Sequence, residues 1–464
     1  MSLRTVISFA AAACLVGAYA AQPARADDAP KHPIWSGTPV GDIQFSGHTE
    51  LGLSINPDSP GNGQNFGQPF TNGANAFRMN QSMLTVEHDT DSSATGFDYG
   101  FKVQAMYGTD SRLTHFYNEF DRSTESPYQW DVNYLEANVH TPAFPLVSGG
   151  SDLQIGEYAT PLGYEVIDAT GNPFYSHSYT FTYGLPYKHT GVLGTFHVTD
   201  LLDIWGGWDT GVNDSFVAAK GNANPSLLHG IVGFGLNGLA GGNLTIIGLA
   251  HFGAENPSGS SYLTPSGATH SFDAANLMSE YYDANAVWKI NDSWTSVTEV
   301  NMIHNDAYGA TGAGFVQYAI YTLNDQWTLQ GRAEAYSDQS KGNGFNGFVC
   351  DYPNSQDAVD GERNIPLSTT GNTNGTYCGN TNTVTSGAAS NAFNAIYSEF
   401  TVGASYTPTW PPLPGTWGLT IRPEARFDTL LASSHGVKPF DVSTTGIGSK
   451  TSQVTLAVDA ILAF

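Results

Sequence analysis

Charged side chains recur at every second position in two segments near the C-terminus. Arg332 and Glu334 are separated by one alanine, and Arg422, Glu424 and Arg426 alternate with apolar residues in the same way. A two-residue spacing places side chains on one face of a β-strand. Charges of both signs on one strand face are suited to the lining of a water-filled pore, where they select solutes by charge. We therefore predict that these five residues line a pore.

Other charged residues are expected to contribute to the same lining. Alternation in their own segments directs Glu50, Asp98 and Lys102 inward. Glu165 and Asp168 belong to an aromatic and Pro-rich segment, and we expect them to face the three arginines and create a transverse electric field.

The sequence contains no arrangement that requires catalysis. It lacks G-x-S-x-G, H-E-x-x-H and a nucleotide-binding glycine loop, and its thirteen histidines are scattered. We place most histidines in the lumen or in loops, with a catalytic or metal role as the minority alternative. Asp357, Asp360 and Glu362 resemble a calcium loop only weakly, so solvated loop charge is favoured. No enzyme activity, cofactor, metal site or nucleic-acid partner is predicted.

The elements that must position these side chains are short amphipathic strands. Phe97, Tyr99 and Val103 oppose Asp98 and Lys102, and each such run covers about ten residues, the length of a tilted membrane strand. We predict an all-β transmembrane antiparallel barrel of sixteen strands, with fourteen to eighteen possible. The predicted strands span residues 42–55, 77–89, 96–108, 130–140, 151–158, 189–199, 201–210, 227–239, 243–253, 279–290, 293–304, 313–323, 326–337, 393–406, 416–428 and 451–464.

The lengths of the connections support a barrel over a soluble β-sandwich, which would also show alternation. Long connections mostly follow the odd-numbered strands, and short turns such as 240–242, 291–292 and 324–325 fall between them. Long extracellular loops on one rim and short periplasmic turns on the other are typical of outer-membrane barrels. Two of the short turns are followed by Trp294 and Trp327, which we place at the membrane interface.

Composition is consistent with this fold class. The chain has a formal charge of −25, yet charged residues make up only 13% of it, while it holds 52 glycines and 12% aromatic residues. A soluble acidic enzyme would normally carry more charge and longer helical patterns. Low charge, abundant glycine and many aromatics suit a barrel with a lipid-facing surface and tight turns.

The N-terminus is predicted to be a signal peptide, residues 1–26, cleaved after Ala26. Arg4 precedes an apolar stretch, and Ala24 and Ala26 frame an A-x-A cleavage site. An uncleaved membrane anchor is disfavoured because the apolar stretch is too short to span a bilayer. Removal of the two arginines takes the formal charge to about −27. A periplasmic segment, 27–41, then precedes a single barrel domain, 42–464.

The last strand ends the chain on Phe464 after a regular alternation of apolar residues. A C-terminal strand that stops on an aromatic resembles the signal read by the barrel-assembly machinery, so we assign Phe464 an assembly and closure role. A C-terminal strand of a soluble sandwich is the alternative. The expected surroundings are outer-membrane lipid and lipopolysaccharide.

Two long connections are informative. The segment 159–188 follows the fifth strand and is predicted to fold into the lumen as a constriction loop, with a compact loop over the rim as the alternative. The connection 338–392 is predicted to be a long extracellular loop. It contains Cys350 and Cys378, which the oxidising environment outside the cytoplasm favours as a disulfide, although two free thiols remain the alternative.

The stretch Pro161 to Gly191, the strand that begins after Asp42 and the terminal Phe464 together resemble the outer-membrane β-barrel porins called OmpL-like. The resemblance implies a passive or weakly selective channel. We therefore expect a porin for small hydrophilic solutes or ions in a Gram-negative outer membrane, with cation preference suggested by the net charge. A homotrimer is possible. A receptor or adhesion barrel with a blocked lumen is the alternative, and an outer-membrane hydrolase is less favoured.

Overall fold

The structure is a computed structural model that describes residues 32–38, 41–91, 94–116, 119–120, 124, 127–142, 147, 149–215, 229–254, 261–263, 269–271, 277–306, 310–339, 394–409, 417–433, 438–444 and 448–464. The predicted signal peptide, Cys350, Cys378, the three acids of the weak calcium-like pattern and nearly all of the loop 338–392 lie outside these ranges.

The described chain is dominated by β-strands joined by loops. The strands are β1 (His32–Thr38), β2 (Gly41–Ile55), β3 (Ala76–His88), β4 (Asp98–Gly108), β5 (Gln129–Thr141), β6 (Ser151–Ala159), β7 (Lys188–Thr199), β8 (Leu202–Asp209), β9 (Gly230–Gly238), β10 (Leu244–Gly253), β11 (Ser261–Leu263), β12 (Thr269–Ser271), β13 (Ser279–Lys289), β14 (Trp294–Asn305), β15 (Ala310–Asn324), β16 (Trp327–Gln339), β17 (Asn394–Tyr406), β18 (Gly418–Ser433), β19 (Phe440–Val442), β20 (Gly448–Lys450) and β21 (Ser452–Ala463). Short helical turns are α1 (Ser111–Thr114), α2 (Tyr179–Gly184) and α3 (Leu239–Gly242). No helix in the described ranges is long and apolar enough to cross a membrane.

Sixteen of these strands close into one antiparallel barrel. Each pairs with the next along the chain, from β2 to β10, then β13 to β18, then β21. Closure is made by β21 and β2, with Leu51 opposite Ala460. The predicted fold class and the count of sixteen are confirmed. Strand boundaries agree with the predicted ones to within three residues, except that β18 runs five residues further, to Ser433.

The two faces of the barrel differ as the alternation predicts. The outer face carries exposed apolar side chains, among them Phe77, Phe97, Leu135 and Phe400. The inner face carries buried polar and charged side chains. A soluble protein would bury the first set and hydrate the second, so this inverted distribution is that of a protein embedded in lipid.

Two turns on the short-turn rim share one geometry. The side chains of Asn291 and Asn324 each accept hydrogen bonds from the backbone N–H groups two and three residues later. The ring of Trp294 then lies 4.7 Å from that of Tyr321, and Trp327 stacks on Tyr406 at 4.4 Å. The paired rings form an aromatic band at this rim, where amphipathic rings are favoured.

The N-terminal segment contains a strand that the sequence reasoning did not predict. β21 and Phe464 pair with β2 from Gly47 onward, and this leaves the start of β2 as an open edge. β1 pairs with that edge, with His32 opposite Phe45. The added strand satisfies backbone groups that would otherwise remain unpaired.

Candidate functional site

The connection between β6 and β7, residues 160–187, lies inside the barrel. Nearly all of its residues are buried, and it contacts inward-facing side chains of β3, β4, β13, β14, β16 and β18. We call this segment the inner loop. Its path is set locally by two caps: Asp168 accepts from the N–H of Thr170, and Ser178 accepts from the N–H of Phe181 to begin α2.

Arg332 joins the inner loop to the wall formed by β16 and β17. Its Nη1 donates to Glu165 Oε1 at 2.7 Å and to the Ser176 carbonyl at 2.7 Å, while its Nε donates to Glu399 at 2.5 Å. The guanidinium also lies over the Phe174 ring, 5.1 Å from its centroid. The side chain is fully buried, so its charge depends on these partners for compensation.

Arg422 has the same role on β18. Its guanidinium donates to Asp459 and Glu50 on the wall, and to the carbonyls of Ala169 and Asn172 on the inner loop at 2.9 and 2.6 Å. One cation therefore satisfies two wall carboxylates and two loop carbonyls. The fork of five N–H donors makes arginine suited to this bridging geometry.

The remaining predicted charges of this wall also bind the inner loop. Glu424 accepts from the N–H groups of Tyr175 and Ser176. Glu334 accepts from the N–H groups of Tyr179 and Thr180, and Arg426 donates to the His177 carbonyl and to Asp428. The two carboxylates bind the loop from one side of the barrel.

The walls on either side of these strands hold the loop through amides and further carboxylates. Gln81 on β3 donates to the Ile167 carbonyl and accepts from the Ala169 N–H, bridging two loop residues. On β13 and β14, Asp283 accepts from the Gly163 N–H and Glu299 from the Tyr164 N–H. The inner loop is thus bonded to opposite sides of the barrel, which fixes its position across the lumen.

Close packing against wall glycines adds to this fixation. A side-chain carbon placed on Gly52 would lie 2.2 Å from the Tyr175 ring, and one on Gly314 would lie 2.1 Å from the Thr180 hydroxyl. Glycine at these wall positions leaves the space that the loop side chains occupy. A glycine inside a strand pattern indicates a close approach, but it does not indicate which segment approaches.

The electrostatics of the two predicted loop acids reflect these contacts. Burial alone would raise the pKa of Glu165, but Arg332 and His177, together with the N–H of Ser178, hold that pKa at about 2. Burial also opposes ionisation of Asp168, yet His48 and hydrogen bonds from Thr170 lower its pKa. Both groups are carboxylates at neutral pH.

Two predicted residues lie away from the arginines. Asp98 is the first residue of β4, at the rim, where its Oδ2 accepts from the Asp91 N–H at 2.6 Å. Lys102 lies four residues further along β4, with its Nζ 4.2 Å from the centroid of the Tyr134 ring. Of the two predicted loop acids, Glu165 makes a direct ion pair with Arg332, whereas Asp168 lies 3.7 Å from His48. The transverse field across the lumen stays a prediction. The pore-lining role of all ten residues stays a prediction.

A cavity of about 250 Å³ lies on the short-turn side of the inner loop. It is bounded by β4 to β8, β10, β13 and the first part of the loop, and its charged lining side chains are Lys102, Asp152 and Asp168. Trp205, Leu193 and Val287 supply apolar surface to the same space.

The first long loop, residues 56–75, also contributes to the interior, which the sequence reasoning missed. Phe70 packs on His177, Phe181 and Tyr187 of the inner loop, with ring centroids 4.6 to 5.8 Å apart. Gln68 donates to Asp428 on the wall at 2.8 Å. An NFGQPFTN stretch with two aromatics is the only local signal for this packing.

Comparison with known proteins places the chain among porins. A family model described as "Putative beta-barrel porin-2, OmpL-like" matches residues 42–464. No curated protein sequence matches the chain. The family match confirms the predicted resemblance and covers the whole predicted barrel domain.

Solved structures share the architecture at low sequence identity. OprB of Pseudomonas putida is 9% identical, with a TM-score of 0.50, over 91% of this chain and 94% of that chain. The outer membrane channel DcaP of Acinetobacter baumannii is 10% identical, with a TM-score of 0.49, over 93% and 99%. The trimer form of OmpT from Vibrio cholerae is 9% identical, with a TM-score of 0.45, over 91% and 99%. At these identities the likeness concerns the fold alone.

Proposed function

Because the chain belongs to the OmpL-like β-barrel porin-2 family, and is thus an outer-membrane porin, we propose that it conducts small hydrophilic solutes past the inner loop and prefers cations. The observation that carries this proposal is the inner loop itself, held across the lumen by Arg332, Arg422 and the wall carboxylates. A loop fixed in this way sets a constriction of constant width.

Cation preference is supported by the charge of the interior. Among the described buried residues there are eighteen Asp and Glu but only five Lys and Arg. The three arginines of the wall are each neutralised by carboxylates, so they present no free positive charge to a permeating ion. Ionised carboxylates in excess of basic groups around a low-dielectric passage concentrate cations and repel anions.

The proposed route begins in the cavity on the short-turn side. Its charged groups, Lys102, Asp152 and Asp168, would contact a solute before or after it passes the loop. Its apolar groups would exclude large hydrated solutes. The confinement by the loop implies a small unit conductance.

Purified protein in planar bilayers tests both parts of this proposal. We expect step increases in conductance in KCl. In a KCl gradient, we expect a reversal potential whose sign shows that K⁺ permeates more readily than Cl⁻. A reversal potential on the chloride side would refute cation preference, while absence of any step conductance would refute conduction itself. Asp168→Asn is expected to reduce the cation preference, and Asp292→Asn in an exposed short turn serves as its charge-matched control.

One observation favours a second candidate, a barrel whose lumen is closed. The inner loop is buried almost throughout, and Leu162 and Leu185 pack with the apolar inner residues Leu193, Ile231 and Leu249. Such a barrel would serve as a receptor or adhesion surface. It would show no conductance, whereas partner binding would be lost on removal of the extracellular loops.

The localisation follows from the family and is the outer membrane of a Gram-negative bacterium. Cleavage after Ala26 and a Cys350–Cys378 disulfide stay predictions. A homotrimer also stays a proposal. Mass measurement of the purified protein in detergent distinguishes one copy from three.

A further inference from the structure

Three side chains with metal-binding atoms meet at one point inside the barrel. His189 on β7, Asp209 on β8 and His251 on β10 are completely buried, and one ligand atom from each lies within 4.8 Å of the other two. Nδ1 of His189 is 3.3 Å from Asp209 Oδ2, and Nε2 of His251 is 3.1 Å from Asp209 Oδ1. The sequence separates them by 20 and 42 residues, a spacing that matches no metal motif.

The distances fit a transition-metal ion. Ligand atoms bound at about 2.0 to 2.1 Å in a tetrahedron lie roughly 3.3 to 3.4 Å apart, which matches the 3.3 Å between His189 Nδ1 and Asp209 Oδ2. His251 approaches the other oxygen of the same carboxylate, Oδ1, at 3.1 Å. Two imidazoles and one carboxylate are ligands that zinc and similar divalent ions accept, whereas calcium and magnesium require a set of oxygens.

The surroundings of His189 also fit a ligand. Its second ring nitrogen, Nε2, lies 3.0 Å from the hydroxyl of Thr160, the first residue of the inner loop. A hydrogen bond at the far nitrogen orients a histidine toward a metal ion. The two nitrogens of His189 would therefore connect the loop to the ion.

Charge balance gives an independent reason for a cation. Asp209 is a fully buried carboxylate, and its Oδ2 has no hydrogen-bond partner of acceptable geometry in the described part of the chain. The hydroxyl of Tyr158, opposite His189 in the strand pairing, is buried and likewise lacks a partner among the described residues. Lys188 binds Asp131 and the Val132 carbonyl instead. Among the described neighbours of Asp209, His189 and His251 can compensate this carboxylate only by taking up protons, whereas a divalent cation bound between the neutral rings would compensate it directly.

A second cluster of histidines and aspartates has a geometry that does not suit a metal ion. His140, Asp152, His197 and Asp203 form a line across four neighbouring strands, with successive contacts of 2.6, 3.0 and 2.7 Å. Each carboxylate oxygen and both His197 nitrogens serve a different neighbour, so no three ligand atoms converge. It provides a matched control within the same chain.

We propose that His189, Asp209 and His251 form a structural binding site for a divalent transition-metal ion of the zinc class. Tyr158 or water would complete the coordination. The ion would link β7, β8 and β10 beside Thr160, the first residue of the inner loop, and would stabilise that side of the barrel. None of the three residues lines the cavity where the proposed solute route begins.

The test measures Zn²⁺ bound by the full chain. The protein is unfolded with a chelator, refolded in detergent with Zn²⁺, desalted and analysed for metal. We compare the native sequence with His251→Gln, Asp209→Asn and the control His140→Gln. Co²⁺ refolding provides a second readout, because its visible absorption reports a tetrahedral nitrogen and oxygen ligand set. Folding of each variant is checked by heat-dependent gel mobility.

One Zn²⁺ per chain in the native and His140→Gln proteins is expected, with affinity lower by about tenfold or more in the two site variants. Equal zinc content in all four proteins would mean an adventitious ion only and would overturn the proposal. Should a site variant fail to fold, the native protein still decides: absence of bound Zn²⁺ and of a tetrahedral Co²⁺ spectrum would refute the site.

Discussion

Replacement of Glu165 by glutamine tests whether ion pairing holds the inner loop across the lumen. Glu165 Oε1 accepts from Arg332 at 2.7 Å and from the Tyr318 hydroxyl at 2.9 Å. Its Oε2 is 2.8 Å from His177 Nδ1 and accepts from the Ser178 N–H at 3.0 Å. Glutamine keeps the shape of the side chain but removes its charge and one acceptor.

The magnitude follows from the pKa of Glu165, which falls from 4.5 to about 2 in the folded protein. At about 1.36 kcal/mol per pKa unit, this corresponds to ~3 kcal/mol of stability from the ionised group. Because the folded pKa is the lower one, the contribution is complete well above pH 4.5 and is lost as the pH falls toward 2. Between pH 7 and pH 3 the loss is ~2 kcal/mol. We therefore expect Glu165→Gln to destabilise the barrel by ~3 kcal/mol at pH 7 and by ~1 kcal/mol at pH 3.

The assay is urea unfolding in vesicles of a zwitterionic lipid, followed by tryptophan fluorescence at both pH values. The difference between native and variant proteins cancels the titration of groups that do not interact with Glu165. Asp98→Asn, which removes a rim carboxylate bound to the Asp91 N–H rather than to a residue of the inner loop, is the control and should destabilise the barrel less than Glu165→Gln at pH 7. A destabilisation of equal size at pH 7 and pH 3 would refute the reasoning, because the loop would then be held by packing and not by the charge of Glu165.

Two further predictions concern packing and assembly. Gly52→Ala is expected to displace Tyr175 and the inner loop, lowering the free energy of unfolding by about 1 to 3 kcal/mol and altering the unit conductance. Gly331→Ala, where the nearest atom would be 3.9 Å away, should change neither, and equal effects of the two substitutions would contradict the close approach. Phe464→Ala removes a ring that lies 6.1 Å from Phe45 at the closing seam, and it should lower the yield of folded barrel in the outer membrane by roughly several-fold. Phe400→Ala on the lipid face is the control, and a similar yield for both variants would contradict the assembly role.

The barrel itself was predictable from the sequence because its signals are local. Alternation such as Arg332, Ala333, Glu334 fixes which face of a strand is polar, and this depends only on the two-residue period of a strand. Turn residues and aromatic positions are also local, so strand limits and the count of sixteen could be read from the chain. The polarity of the face holding Arg422, Glu424 and Arg426 was likewise correct, since all three are buried on the inside.

What each inward residue contacts was decided by the tertiary structure. Arg332 and Glu165 are 167 residues apart in the sequence, and Arg422 and Ala169 are 253 residues apart. A local alternation of residue types cannot predict contacts between such distant positions. The path of the inner loop brings Glu165 to Arg332, and closure of the barrel by β2 and β21 brings Glu50 and Asp459 to Arg422. The same holds for His189, Asp209 and His251, which the sequence leaves scattered. The sequence by itself determined the strands of the wall and which face of each strand is polar. How the lumen is filled was decided only by the packing of the loops against the inner face of that wall.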